Sequence, residues 1–254
     1  MAHPPSAWIV KANDLQRMIT AGISTALLDT FLSVARVGYG ITSSPYHAPG
    51  TGGEPWVIFT SYTDPTAGLA AAITSGTLPG PYQGVIFDLE AWSNTPAAEQ
   101  KAPWYYQAQA AKACATVGLP IVSTPGMDLI PVISGGADSA SPATYMSWNM
   151  AHDAAMVSDG LVIQAQRYDR DTATYSSFVS EAASQARTAH PGVNVFAGLS
   201  SCAGGTPATA AQLYAAYQQS NVYGYWLNVP VWSACPTGNA PAAIGFLQQV
   251  YGIS

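Results

Sequence analysis

The feature that most limits the possible folds is a regular alternation of strand-like and helix-like segments along the chain. Short apolar segments with strand character are separated by segments of helical periodicity. The predicted strands span residues 7–12, 25–31, 56–62, 84–90, 120–124, 160–166, 193–200 and 223–229. The predicted helices span residues 14–21, 65–74, 97–117, 142–157, 172–188, 207–219 and 241–251. Helical crossovers between apolar strands predict a parallel sheet that is covered on both faces.

Eight such strand units in 254 residues match a closed (β/α)8 barrel, the TIM-barrel class of α/β fold, as one domain over residues 1–254. A doubly wound open sheet is the alternative. No GxGxxG or GxxxxGK[ST] motif opens a predicted helix, which removes the main reason to prefer the open sheet. The Gly-, Pro- and Tyr-rich segment 34–54 is predicted to be a loop on the active face, and residues 21–32 are alternatively one bent element.

Charge and composition exclude several classes of partner. Charged residues make up only 9% of the chain, net charge is −6, and basic residues form no cluster, so we expect neither nucleic acid nor an anionic membrane as a partner.

No run of 18 apolar residues occurs, so no membrane span is predicted. Residues 1–5 show no signal peptide. We expect a mature secreted monomer, with a cytosolic location left open.

The three cysteines and four histidines do not form a metal-binding pattern. No CxxC or HxxxH spacing occurs, and we predict neither a metal nor a cofactor. Cys114 lies in a helical pattern and is predicted to be a buried apolar side chain. Cys202 and Cys235 each follow a late predicted strand, and a disulfide between them is reasonable if those strands are neighbours. Such a bond favours an oxidising compartment.

Two acidic residues, Asp88 and Glu90, stand at the end of the fourth predicted strand. Residues two apart in a strand share a face, so both carboxyl groups are expected to point the same way. Neighbouring carboxylates raise the proton affinity of one member of the pair. We therefore predict acid catalysis, with a glycosidic bond as the target. The structural alternatives are a capping role for Asp88 and an exposed position without a role for Glu90.

Polar and aromatic residues end several other predicted strands. Strand six supplies Gln164, Gln166 and Tyr168, strand eight supplies Trp226 and Asn228, and a loop supplies Trp92. The remaining strand ends supply Asp29, Ser61 or Tyr62, Thr124 and Ser200. Amides, carboxylates and indole rings suit a carbohydrate or another small polar substrate. Alternatively, the two glutamines satisfy each other, Trp226 fills the barrel floor, and Trp92 covers the core as a lid.

The layout resembles glycoside hydrolase family 18, which includes chitinases and endo-β-N-acetylglucosaminidases. The family's fourth strand has the motif D-x-x-D-x-D-x-E, whose last two acids match Asp88 and Glu90, whereas Gln83 and Ile86 stand at the first two. The strand-eight tryptophan of the family matches Trp226, its strand-six M-x-Y-D is loosely similar to residues 164–169, and its S-x-G-G has no counterpart at 59–62. The resemblance implies a hydrolase in which Glu90 is the general acid. Asp88 and Tyr168 would then hold the substrate's N-acetyl carbonyl as the nucleophile.

The chain is also similar to a group of small secreted actinobacterial proteins. The likeness covers residues 84–232 and rests on D-x-E-x-W followed by residues 95–100, on 163–166 and on 224–230. It implies a secreted barrel related to glycoside hydrolases and brings no established activity. Two other functions stay open: a lectin-like barrel that binds carbohydrate without cleaving it, and a secondary-metabolism enzyme that uses the same acid pair.

Overall fold

Eight parallel strands close into a barrel in the computed structural model, which describes residues 4–40 and 53–253. In order around the barrel they are β1 (Ala7–Lys11), β2 (Ala35–Gly40), β3 (Glu54–Phe59), β4 (Gly84–Phe87), β5 (Ile121–Ser123), β6 (Gly160–Ile163), β7 (Asn194–Ser200) and β10 (Gly224–Asn228). Two short strands, β8 (Cys202–Ala203) and β9 (Thr206–Pro207), form a separate antiparallel hairpin. The predicted (β/α)8 barrel is therefore confirmed.

Helices alternate with the strands and cover the outside of the barrel. They are α1 (Ala12–Thr20), α2 (Thr25–Leu32), α3 (Leu69–Thr74), α4 (Ala97–Lys101), α5 (Pro103–Thr116), α6 (Leu129–Ile133), α7 (Pro142–Ser147), α8 (Met150–Ala155), α9 (Thr172–Ala189), α10 (Ala210–Gln218) and α11 (Ala240–Tyr251). The single helices predicted over 97–117 and 142–157 are each divided into two. None of the helices in the described part of the chain is long and apolar enough to cross a bilayer.

The prediction for the second strand is wrong. Residues 25–31 belong to the helix α2, whose start is capped by the Ser24 side chain accepting from the Leu27 amide. The strand is instead β2, inside the segment 34–54 that was predicted to be a loop; residues 41–52 of that prediction lie outside the described residues. Along β2 the inward positions are held by Arg36 and Gly38, so no apolar run marks the strand in the sequence.

Alternate residues of each strand enter two separate cores. The residues that face the barrel interior form one cluster, made of Ala7, Ile9, Trp56, Ile86, Val122, Val162, Phe196 and Trp226. Their neighbours along the strands, such as Trp8, Phe87 and Leu227, pack against the helices in the larger cluster. Side chains therefore alternate between the two cores with the period of two that strands impose.

Polar residues follow the apolar floor of the barrel at the carboxyl ends of the strands. Five members of the interior cluster are each followed, two residues later in the sequence, by a polar residue. These polar residues are Lys11, Asp88, Thr124, Gln164 and Asn228. The opposite end of the barrel is filled by Arg36, whose guanidinium lies 4.6 Å from the Trp56 ring centroid and 5.1 Å from that of Phe196. Polar chemistry is thus concentrated at the carboxyl end, where (β/α)8 barrels place their active sites.

The predicted disulfide between Cys202 and Cys235 is confirmed, with a Cα–Cα distance of 6.5 Å. It joins the β8–β9 hairpin, which follows β7, to the loop that follows β10. Trp232 in that loop pairs with Cys235 through backbone hydrogen bonds. The third cysteine, Cys114, is free and buried in α5, as predicted.

Candidate active site

Asp88 and Glu90 lie directly after β4 and border the same cleft at the barrel mouth. Leu89 between them is buried in the helix-facing core. Side chains therefore continue to alternate between the barrel interior and the helix-facing core for three residues after β4. The structure places both carboxyl groups together, as their i, i+2 spacing predicted.

Three side chains contact the Asp88 carboxyl group, and the residue is only 2% exposed. The Thr124 hydroxyl and the Gln164 amide, at 3.3 Å, donate to Oδ1, while Lys11 Nζ lies 3.8 Å from Oδ2. Burial raises the pKa of Asp88, whereas the Lys11 charge and the Thr124 hydrogen bond lower it. Lys11 ends β1, and Thr124 and Gln164 directly follow β5 and β6, so Asp88 connects three strand ends and does not cap the following loop.

Glu90 is half-buried and has a strongly shifted proton affinity. Burial, followed by the charges of Asp88 and Asp128, raises the pKa of Glu90 to about 8, although Lys11 and a hydrogen bond from Gln164 lower it. A carboxyl group with this pKa is about nine-tenths protonated at pH 7. Glu90 therefore holds a transferable proton under neutral conditions.

A third acid, Asp128, faces the pair from the loop that follows β5. Its charge raises the pKa of both Asp88 and Glu90. The close approach depends on Gly126, because a Cβ there would lie 2.3 Å from Asp128 Oδ1 and 3.0 Å from Glu90 Cγ. Asp128 Oδ1 is buried without a hydrogen-bond partner among the described residues. No strand pattern indicated this residue.

Lys11 supplies the positive charge next to the two acids in the cleft, and it was not among the predicted site residues. It is the last residue of β1, and its Nζ lies 5.2 Å from the centroid of the Trp226 ring as well as beside Asp88. The signal was present in the sequence. Ala7 and Ile9 face the barrel interior, so the period of two places Lys11 on the same face.

The cleft opens into a wider groove. The cleft has room for about 20 Å³, the space of roughly one water molecule, and the groove above it encloses about 650 Å³. The groove is bordered by Glu90, Trp92, Gln164, Gln166, Asn228 and Trp232, together with Asp128 and two arginines. Its volume lies within the range of small-molecule sites in proteins.

Five of the predicted substrate-binding residues reach the cleft or the groove: Gln164, Gln166, Trp226, Asn228 and Trp92. Gln164 donates to Asp88 and to the Thr124 carbonyl, so the two glutamines do not simply satisfy each other. Gln166 lies against Gly198, where a Cβ would be 2.4 Å from its Oε1. Trp226 fills the floor at 4% exposure, and its indole N–H has no partner in the described part of the chain.

The other three predicted residues do not border the cleft or the groove. Asp29 is exposed on the outer helix α2, because its segment is not a strand. The ring of Tyr62 packs toward α5, 6.4 Å from that of Tyr106. Tyr168 turns behind the groove, and its hydroxyl lies 3.8 Å from the Met127 sulfur. The predicted positions of Asp29 and Tyr62 at the site are therefore wrong, whereas Tyr168 contacts Met127, a residue that borders the groove.

Trp92 is fixed by the segment that follows it. Its indole N–H donates to the Thr95 hydroxyl at 2.9 Å, which in turn donates to the Thr60 carbonyl at 2.8 Å. The Gln100 amide donates to the Trp92 carbonyl at 2.8 Å. Glu99, which is fully buried, accepts four hydrogen bonds from residues 61–63 in the loop after β3. Residues 95–100 thus connect the groove wall to the loops that follow β3 and β4.

No group of three or more His, Cys, Asp or Glu side chains with the geometry of a metal site occurs among residues 4–40 and 53–253. Asp88 stands beside the ammonium of Lys11, and Glu90 keeps its proton at neutral pH. These residues suit proton transfer to a bound molecule.

Two solved structures are similar to the chain over almost their whole lengths. Triosephosphate isomerase from Bartonella henselae is 9% identical with a TM-score of 0.49, and the match covers 97% of this chain and 99% of that chain. A chain of the tryptophan synthase α2β2 complex from Pyrococcus furiosus is 10% identical with a TM-score of 0.48, and all of both chains is covered. No protein-family model and no curated protein matches the sequence. The chain is a (β/α)8 barrel by its own strand order.

Proposed function

We propose that this barrel is a glycoside hydrolase-like enzyme in which Glu90 is the general acid. The observation that supports the proposal is the raised pKa of Glu90, about 8, at the floor of a groove of about 650 Å³. A general acid must be protonated at the working pH and must reach the leaving group. Glu90 meets the first condition at neutral pH and borders the groove where a substrate would lie.

In this mechanism the Glu90 proton moves to the glycosidic oxygen as its bond to the anomeric carbon breaks. Glu90 becomes a carboxylate and later takes a proton from the attacking water. Asp88 borders the narrow cleft and not the groove, so it acts through its charge. That charge keeps the proton on Glu90 in the ground state and stabilises the positive charge that develops on the sugar ring.

The groove suits a sugar, with an N-acetylglucosaminide as the candidate. The amides of Gln164, Gln166 and Asn228 are matched to sugar hydroxyls and to an acetamido group. Trp92 and Trp232, the latter 47% exposed, offer flat surfaces on which the C–H faces of sugar rings can stack. The Cys202–Cys235 disulfide supports a proposed location outside the reducing cytosol.

The second candidate is a barrel that binds carbohydrate without cleaving it. Ile86 favours it, because this fully buried side chain stands where the resembled family has an acid beside Asp88. The position of Tyr168 also favours it, since its hydroxyl turns toward Met127. Asp128 argues for the enzyme, because it supplies a negative charge that raises the Glu90 pKa. Turnover of a substrate separates the two candidates.

The proposal predicts a bell-shaped pH profile for the hydrolysis of chitotetraose. As pH rises through about 8, Glu90 loses its proton and kcat/KM should fall tenfold per pH unit. As pH falls through the raised pKa of Asp88, its charge is lost and the rate should fall again. Initial rates between pH 4 and pH 10 test this. A rate independent of pH above 7 would reject Glu90 as the acid.

The Lys11→Met variant tests whether the two limbs of the pH profile belong to Asp88 and Glu90. Lys11 lowers the pKa of both Asp88 and Glu90, so its removal should move both limbs of the profile to higher pH. Lys112→Met, on the exposed face of α5, is the matched control and should leave both limbs in place. Limbs that do not move in Lys11→Met would contradict the assignment.

A further inference from the structure

The groove has acidic residues toward one end and arginines toward the other. Glu90 and Asp128 border it in the loops after β4 and β5. Arg167 and Arg170 border it in the loop after β6, next to the β8–β9 hairpin. Since β4, β5, β6 and β7 are neighbours in the barrel, the acids lie toward one end of the groove and the arginines toward the other.

The two arginines are concentrated in a chain with few cations. The sequence has only 8 Lys and Arg residues, and two of them border this one groove. Arg170 is half-buried, and its Nη1 donates a hydrogen bond to the Thr206 carbonyl at 2.9 Å. In the described part of the chain neither arginine has a carboxylate within 4.0 Å. Arg170 acts on the buried Asp169 only through its charge, which lowers the Asp169 pKa, so both guanidinium groups keep N–H donors for a bound anion.

We propose that Arg167 and Arg170 bind the carboxylate of an acidic glycan, at a sugar unit removed from the bond beside Glu90. This inference rests on the proposed function for the sugar part of the ligand. The planar guanidinium donates two parallel hydrogen bonds to a carboxylate, which makes arginine the preferred partner for this group. Asp128 at the other end repels a carboxylate, so the charges fix the direction in which the glycan lies.

Calorimetry on a Glu90→Gln background, where turnover is strongly slowed, tests the inference with two probes of equal length. Chitotetraose is neutral, whereas the hyaluronan tetrasaccharide alternates N-acetylglucosamine with a carboxylated sugar. At low salt we expect the hyaluronan tetrasaccharide to bind about tenfold more tightly, since each of two exposed ion pairs contributes up to about fivefold. In the Arg167→Gln/Arg170→Gln variant the two affinities should become equal.

Arg187→Gln is the matched control, because Arg187 lies in α9, donates to the Asn221 carbonyl and does not border the groove. It should keep the preference for the acidic probe. Equal binding of the two probes, no binding of either, or a preference that survives the double substitution would overturn the inference, and so would its loss in Arg187→Gln. A retained preference without any hydrolysis by the wild-type chain would refute the acid role of Glu90 and leave the anion site standing.

Discussion

Glu90→Gln is expected to lower kcat for chitotetraose by about 10²–10⁴-fold, the usual contribution of a general acid. The amide has nearly the shape of the protonated carboxyl group but has no acidic proton to transfer. Binding of the same substrate should change little, because Gln keeps a donor and an acceptor at this position. Steady-state hydrolysis together with calorimetry separates the two effects.

A substrate with a better leaving group tests the acid role of Glu90 more specifically. A dinitrophenyl N-acetylglucosaminide needs little protonation, so Glu90→Gln should release dinitrophenolate in the first turnover at nearly the wild-type rate while failing on chitotetraose. Glu181→Gln is the control, because Glu181 is exposed on α9 and bonds only to the neighbouring Ser177 in the described structure. Equal turnover of chitotetraose by Glu90→Gln and wild type would reject the proposed role.

The Cys202→Ser/Cys235→Ser variant is expected to lose about 3–4 kcal/mol of unfolding free energy, because the disulfide closes a loop of 33 residues. The bond also connects the hairpin to the loop with Trp232, whose side chain would lie 3.8 Å from a Cβ placed on Gly205 of the hairpin. We therefore expect KM to rise as the groove wall loosens. Denaturant titration of wild type and variant measures the first effect.

Reducing agent provides the control for the disulfide prediction. It should destabilise the wild type to about the level of the variant and have no effect on the variant, since Cys114 is free and buried. A loss below 1 kcal/mol, with KM unchanged, would show that the hairpin and the loop are held by their other contacts.

The parts of the site that were predictable follow from one local rule. Side chains two apart share a face of a strand, and this rule correctly grouped Asp88 with Glu90, and Trp226 with Asn228, at one mouth. It holds only while the chain is extended. After β6 the Ala165 amide donates to the Ile163 carbonyl and the Tyr168 amide to the Ala165 carbonyl, so the chain turns and Tyr168 leaves the predicted face.

The mispredicted strand and the unpredicted site residues have equally specific physical causes. The second strand was missed because its barrel-facing positions are Arg36 and Gly38, and the apolar segment before it is the buried face of a helix. Periodicity alone does not separate a short buried helix from a strand. Asp128 and the two groove arginines stand in loops, whose side-chain directions no repeat dictates. Their charges at the groove become visible only in three dimensions.

The Glu90 carboxyl group should keep its proton at neutral pH, and this can be measured directly. The chain contains only four glutamates, Glu54, Glu90, Glu99 and Glu181, so selective ¹³C labelling of glutamate carboxyl groups should give a simple NMR spectrum. Glu90→Gln assigns the resonance by removing it. We expect that resonance to titrate with a pKa of about 8. Titration of the Glu90 resonance near its ordinary value of about 4.3 would contradict the account.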